Sequence, residues 1–195
     1  RVLFRSDFLY QKILPQAGDV TENRPFRVWS AACSSGEEAY SAAITIEEYN
    51  RLHRRVPYQI TCTDISTKAL RKAHDALYSR ERIKEIPPGM VRLYFGDGAD
   101  AQGGFVRVKP GIRRNLRFRH LNLLQQPYPF ERNFDLIFLR NVIMYFDRQT
   151  QDCLLEYIHQ MLKPGGFLFI GHAESLSGNT HPFQFQSPAT YRKYS

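Results

Sequence analysis

The sequence predicts a doubly wound α/β fold built on one mostly parallel sheet. Five short apolar runs alternate with segments of 3.6-residue hydrophobic period, the order that a parallel sheet covered on both faces requires. Small and polar residues follow directly on several of those runs, at the carboxyl ends where ligands collect in such sheets.

The expected strands are Phe26 to Ala31, Gln59 to Thr63, Leu116 to His120, Phe134 to Leu139 and Phe167 to Gly171, each closed by turn-forming or polar residues. After the first, Ala39, Ala42, Ala43, Ile46 and Tyr49 lie on one helical stripe. A second stripe, Ala69, Leu70, Ala73 and Leu77, follows the second strand, and a third, Leu154, Leu155, Ile158, Met161 and Leu162, precedes the fifth. LKPGG at the end of that third stripe reads as helix termination before a buried strand. Between the second and third strands, Gly89 to Val108 breaks the alternation: GDGADAQGG, FVRV and KPG predict a small β-rich insertion at about 96–115. PFQFQ and ATYRKYS read as two short strands pairing as a hairpin on the sheet edge. Phe4 and Phe8 at helical spacing make residues 1–25 an expected helical segment, the remnant of an N-terminal domain or linker, ahead of a main domain at 26–195.

Composition narrows the class. With 195 residues, 43% of them hydrophobic and 24% charged, the chain is long enough to bury a core without disulfides and too apolar for disorder. No apolar run approaches the roughly 18 residues of a membrane span, and the start carries no signal-peptide pattern, so a cytoplasmic location is expected. Cys33, Cys62 and Cys153 form no CxxC pair, and HAE at His172 to Glu174 lacks the PCxxC of a zinc deaminase, so no metal site is expected. The net charge of +8 steers acidic partners toward the surface.

Four features could carry chemistry. SAACSSGEE, Ser30 to Glu38, lies where the first strand turns into the first helix. Its small residues and Gly36 let a ligand approach the backbone, and free N–H groups at a helix start favour electronegative atoms. It lacks the Lys of a phosphate-binding loop and does not fit GxGxxG, which leaves a cofactor loop of another kind or a tight turn with a Ser-capped helix. Asp64, just after the second strand, is placed either to accept hydrogen bonds from ribose hydroxyls or to cap the helix starting near Ser66. FDLIFLRNVIMYF sets Arg140, Asn141 and Tyr145 beyond the fourth strand, as crevice groups or, for Arg140, a surface ion pair and, for Tyr145, core packing. Cys33 has no base beside it in the sequence and reads as a small packing residue. Lys68, Arg71 and Lys72 on one helix face, and Arg107, Lys109, Arg113, Arg114, Arg117 and Arg119 further on, form two basic clusters, either solvated faces or the footprint of an acidic macromolecule.

Taken together, FRVWSAACSSGEEAYSAA, CTDIS, LNLL, FDLIFLRNVIMYF and LKPGGFLFIGHAES resemble the chemotaxis receptor methyltransferases, the CheR family of protein-glutamate O-methyltransferases, over nearly the whole chain. The order of SxGEE, RNVxxYF and GHxES makes the resemblance specific. It implies a Rossmann-like methyltransferase sheet with a small β-subdomain, and methyl transfer from S-adenosylmethionine to chemoreceptor glutamates, with S-adenosylhomocysteine as product. It further implies that Glu38 and Asp64 hold the adenosine and methionine parts of the cofactor, with Asn122 and Leu123 near the adenine and Arg140 and Asn141 closing the other side. Arg5 and Tyr145 would stand beside the transferring methyl; Arg5 belongs to LFRSDFL, similar to the family's FFRxxxxF segment with Leu3 in place of the first Phe. The implied partners are the cytoplasmic helices of methyl-accepting chemoreceptors and, at the β-subdomain, a receptor C-terminal peptide that some members grip; neither a stable nucleic-acid complex nor membrane insertion is expected. A nucleic-acid methyltransferase would share the sheet and suit the basic charge, but amino-group methylation often uses an NPPY-like loop where this chain has RNVIMY. A non-catalytic, cofactor-binding signalling module is the third reading.

Overall fold

The apolar runs become strands whose neighbours are set by where the intervening helices cross. The computed structural model describes residues 7–18, 20–98 and 103–194. A π-type turn at Leu9–Ile13 and a 3-10 turn at Leu14–Gln16 precede β1 (Phe26–Ala31), α1 (Glu37–Leu52), β2 (Tyr58–Asp64) and α2 (Thr67–Asp75). A small unit follows, made of β3 (Leu77–Ser79), α3 (Pro88–Tyr94), β4 (Phe95–Asp97) and β5 (Phe105–Val108). The chain continues through α4 (Pro110–Arg113), β6 (Leu116–His120), β7 (Phe134–Leu139), α5 (Arg148–Met161) and β8 (Leu162–Ile170), and ends in β9 (Gln184–Ser187) and β10 (Thr190–Arg192).

The main sheet runs β6-β2-β1-β7-β8-β10-β9. The first five are mutually parallel, and β10 pairs antiparallel with both β8 and β9, which is the expected edge hairpin. From β1 the chain builds outward to β2 and β6, then returns to lay β7 and β8 on the other side. The order therefore reverses between β1 and β7, and at such a switch point the two crossovers leave a crevice beyond the strand ends.

Burial on both faces explains why β7 is apolar but for Asp135, which accepts the Arg27 N–H at 2.7 Å, and all of its residues are buried. Leu136 and Phe138 face the core under α1, whereas Ile137 and Leu139 face the core under α5 with Leu154, Leu155 and Ile158. Trp29, fully buried on β1, packs edge-on against Tyr128 and Phe130 and donates its indole N–H to Thr63 Oγ1 at 2.9 Å.

Two segments differ from the sequence expectation. Leu77, placed on a helical stripe by its spacing, lies in β3, because Ala76 takes φ 55° and turns the chain out of α2. β3, β5 and β4 then form a three-stranded antiparallel sheet whose Tyr78, Val106 and Val108 join the α1-side core. Leu162, expected to end the third helix, instead opens β8 opposite Phe134; its backbone is already extended, and a register irregularity absorbs the Pro and Gly residues that follow. Among the described residues no helix is long and apolar enough to cross a membrane.

Candidate active site

A cleft of about 510 Å³ opens at the carboxyl ends of β1, β2 and β7, within the roughly 300–1,000 Å³ range of small-molecule sites. Glu38, Asp64, Arg140, Asn141 and Tyr145 all line it, together with Leu9 from the N-terminal turn. Asn122 and Leu123 do not: Asn122 Oδ1 accepts the Leu124 N–H at 3.0 Å and Leu123 is buried in the α5-side core. They follow Leu121, which lies beside the second strand's end in space, its N–H donating to the Asp64 carbonyl at 3.0 Å. Arg5 lies outside the described residues.

The loop leaving β1 is shaped by its neighbours in the fold. Gly36 caps α1 with φ 91°, and a Cβ there would sit 2.9 Å from the Ala73 Cβ of α2 and 3.1 Å from the Tyr78 hydroxyl. The glycine is thus required by α2 and β3, whereas the sequence assigned its smallness to a ligand. Nor is α1 Ser-capped: Gly36 makes no side-chain cap, and Ser35 Oγ bonds the Glu37 carboxylate at 2.7 and 3.0 Å. The Tyr78 hydroxyl donates to the Ser35 carbonyl at 2.7 Å, so the small sheet fastens this loop. Ala32 and Ser34 hold left-handed backbone at φ 60° and 50°, a costly arrangement that recurs at ligand sites.

Asp64 does not cap α2; Ser66 does, accepting the Ala69 N–H at 3.2 Å. Instead Asp64 Oδ1 accepts the Ser66 N–H and Oδ2 accepts the Ser34 N–H, both at 2.8 Å. Arg140 is no surface ion pair either. Its Nη1 donates to Glu38 Oε2 at 2.8 Å, with the two side chains 23% and 16% exposed, while Glu38 Oε1 accepts the buried Ser30 hydroxyl at 3.0 Å. Tyr145 is 77% exposed at the mouth, which removes the core-packing reading. Cys33 lines the cleft but is buried, and burial together with its neighbour Cys33 pushes the Cys62 thiol up, so that thiol stays protonated.

A nucleoside-bearing cationic ligand suits this set of groups. Three carboxylates, Glu37, Glu38 and Asp64, line the cleft, and an ionised carboxylate oxygen can accept more than one hydrogen bond. Arg140 keeps its buried Nε–H without a hydrogen-bond acceptor among the described residues, a donor that a bound ligand can satisfy. Sequence reasoning singled out neither Leu9, at the end of LFRSDFL, nor Ser34, inside SAACSSGEE, although it quoted both segments. It also passed over Glu174, whose carboxylate accepts N–H groups from Asn141, Val142, Ile143 and Gly171. Its only signal was a place in the GHxES segment.

Both basic clusters border the β6 edge, on opposite sheet faces: Phe118 packs against Tyr40 and His74 on the α2 side, so Arg117 and Arg119 point the other way. β6 is the outermost strand, Arg117 and Arg119 project from it exposed and two residues apart, and α2, bearing exposed Lys68, Arg71 and Lys72, packs beside it.

A family model described as the CheR methyltransferase SAM binding domain matches residues 3–192. The chain is 38% identical over 192 residues to a chemotaxis protein methyltransferase of Borreliella burgdorferi, covering 96% of this chain and 66% of that protein. It is likewise 38% identical over 167 residues to the chemotaxis protein methyltransferase of Escherichia coli K12, covering 85% of this chain and 58% of that protein. The chain thus spans 58–66% of the length of these relatives. Of solved structures, the DszA carbon methyltransferase is similar in fold alone, with a TM-score of 0.53 and 14% identity over 86% of this chain and 34% of that one.

Proposed function

The chain belongs to the CheR methyltransferase family, and on that premise we propose that it transfers the methyl group of S-adenosylmethionine to glutamate side chains on the cytoplasmic helices of chemoreceptors. The convergence of Glu38, Asp64, Arg140, Asn141 and Tyr145 on one cleft, from strands far apart in sequence, is the observation that carries this reading. When bound, S-adenosylmethionine supplies a methyl group activated by its sulfonium charge.

Asp64 accepts hydrogen bonds from the ribose, and Glu38, braced by Arg140, faces the cationic methionine end. Asn122 and Leu123, outside the cleft lining but next to Leu121 beside the end of β2, back the adenine side, and Asn141 closes the cleft opposite. Tyr145, exposed at the mouth, and Arg5 orient the incoming carboxylate. A glutamate side chain has a reference pKa of about 4.3, so near pH 7 it is already the anionic nucleophile and needs no base. The task left to the chain is alignment in a site that sheds water as the receptor docks.

The basic edge of β6 and α2 suits an acidic receptor surface, and the free edges of β3 and β4 suit an extended receptor C-terminal peptide added as a further strand. Incubation with radiolabelled S-adenosylmethionine and receptor cytoplasmic fragments, followed by base, tests the reaction. Volatile methanol released from receptor-bound label is expected, because esters are base-labile. Base-stable label, or label on nucleic acid instead, would overturn it.

A further inference from the structure

We propose that Glu174 is a positioning residue that holds the substrate-side loop of the cleft in its working shape. The inference rests on the methyltransferase reading and adds to it a residue outside the cleft itself. The turn after β8 puts this carboxylate where four backbone donors converge: Gly171 and Asn141 N–H reach Oε2 at 2.6 and 2.8 Å, and Val142 and Ile143 N–H reach Oε1 at 3.0 and 3.1 Å. Because β7 and β8 are parallel neighbours with Leu139 opposite Ile170, one side chain clamps the carboxyl ends of both strands.

The loop needs such an anion. Asn141 is left-handed at φ 55° and Val142 follows at φ −130°, ψ −33°, which turns successive N–H groups toward one point and makes a concavity that attracts negative charge. Charge-assisted bonds of this kind are roughly twice as strong as neutral ones. Gly171 completes the fit: a Cβ there would lie 2.4 Å from Glu174 Oε2 and 2.7 Å from Asn141 Oδ1.

What the clamp holds is the acceptor side of the cleft. Arg140 precedes the loop and pairs with Glu38, Asn141 and Val142 line the cleft, and the Tyr145 N–H bonds the Val142 carbonyl at 3.2 Å in the next turn. Releasing residues 141–143 therefore frees both Arg140 and Tyr145 to shift. Glu174 has a second effect: it fills the concavity with the chain's own anion, so an incoming glutamate carboxylate is not captured there, off the line of transfer.

Glu174→Gln and Glu174→Ala in the whole chain test this through three readouts: amide hydrogen exchange, S-adenosylhomocysteine affinity by calorimetry, and kcat and KM with a receptor fragment. Exchange at residues 141–143 and 171 is expected to rise at least about tenfold while the amides of β1 and β8 stay protected. Turnover is expected to fall roughly 10- to 100-fold, less in Gln, which keeps one acceptor oxygen, and cofactor affinity is expected to fall by a smaller factor than turnover. Unchanged exchange at 141–143 overturns the clamp. Raised exchange with kcat within about twofold of wild type overturns its role in positioning, and so does protection lost across β1 and β8, which marks a merely structural residue. Should wild type itself transfer no methyl group, the proposed function fails, whereas exchange confined to 141–143 and 171 still upholds the clamp.

Discussion

The backbone N–H of Ser34 donates to Asp64 Oδ2 at 2.8 Å, so the acid ending β2 holds the loop that leaves β1. With Oδ1 committed to the Ser66 N–H, the carboxylate is oriented before any ligand arrives. A preset acceptor loses less entropy on binding than a free one.

Asp64→Ala is accordingly expected to weaken S-adenosylhomocysteine binding by about 1.5–3 kcal/mol, the range for a hydrogen bond to a charged group, or roughly 10- to 150-fold. Calorimetric titration measures it. An unchanged affinity would remove Asp64 from the cofactor site.

Tyr145 is exposed, so Tyr145→Phe should leave the melting temperature unchanged while lowering turnover with receptor fragments. Misplacement by about an ångström costs roughly a hundredfold, which sets the upper end of the effect for this variant and for Arg5→Ala. Profiles of rate against pH should show no ionisation between pH 6 and 8 that disappears in the Phe variant; finding one would mean that the step uses a base after all.

Reversing Arg117 and Arg119 to Glu changes the net charge by four at the sheet edge. Association with an acidic receptor fragment should slow by about tenfold or more at low salt, and its salt dependence should flatten, while cofactor affinity stays constant. A stopped-flow salt series that superimposes on wild type would reduce the edge to a solvated surface.

Gly36→Ala should destabilise the fold through two causes, a left-handed backbone position and the Cβ contact of 2.9 Å with Ala73. Together these amount to about 2–4 kcal/mol, a fall of roughly 5–15 °C in the melting temperature for a chain of this size. Gly111→Ala, where a Cβ would meet nothing within 4 Å, serves as the control and should melt like wild type.

Asp147 caps α5, accepting from the Thr150 N–H at 3.0 Å and the Thr150 hydroxyl at 3.1 Å, and the Thr150 donors hold its pKa below the usual carboxylate value. A lowered folded-state pKa gives stability that is full above the unfolded value, about 3.9, and is lost as pH falls through the folded one. Asp147→Ala should therefore melt lower than wild type at neutral pH, with the gap closing only in strong acid. Urea melts across that range check the sign.

Much of this architecture is written in local pattern. The inner parallel strands announce themselves as largely apolar runs because both faces are covered, and the terminal hairpin does so through two short β-like runs around a turn. Leu77 was misplaced because a residue just past a helix still fits its period, and only the left-handed Ala76 breaks it. Asp64, Arg140 and Asn141 were legible by position after a strand. The bond from Ser34 to Asp64 and the three donors that reach Glu174 from residues 141–143 were not, since they join backbone atoms to side chains across 30 to 33 residues and leave no spacing to read. The exposure of Tyr145 was equally hidden, because an aromatic residue looks the same in a sequence whether it faces core or solvent.

The arginines of β6 also answer a hazard of the sheet itself. An outermost strand offers unpaired backbone donors and acceptors to any second strand, and closely set like charges on two molecules keep such edges apart. Arg117 and Arg119 thus set like charge against edge-to-edge pairing of sheets between molecules. That repulsion works only while those charges are bare. A polyanion that neutralises them without covering the backbone should turn a monodisperse solution turbid, first near charge equivalence, and should let it clear again when the polyanion is in excess.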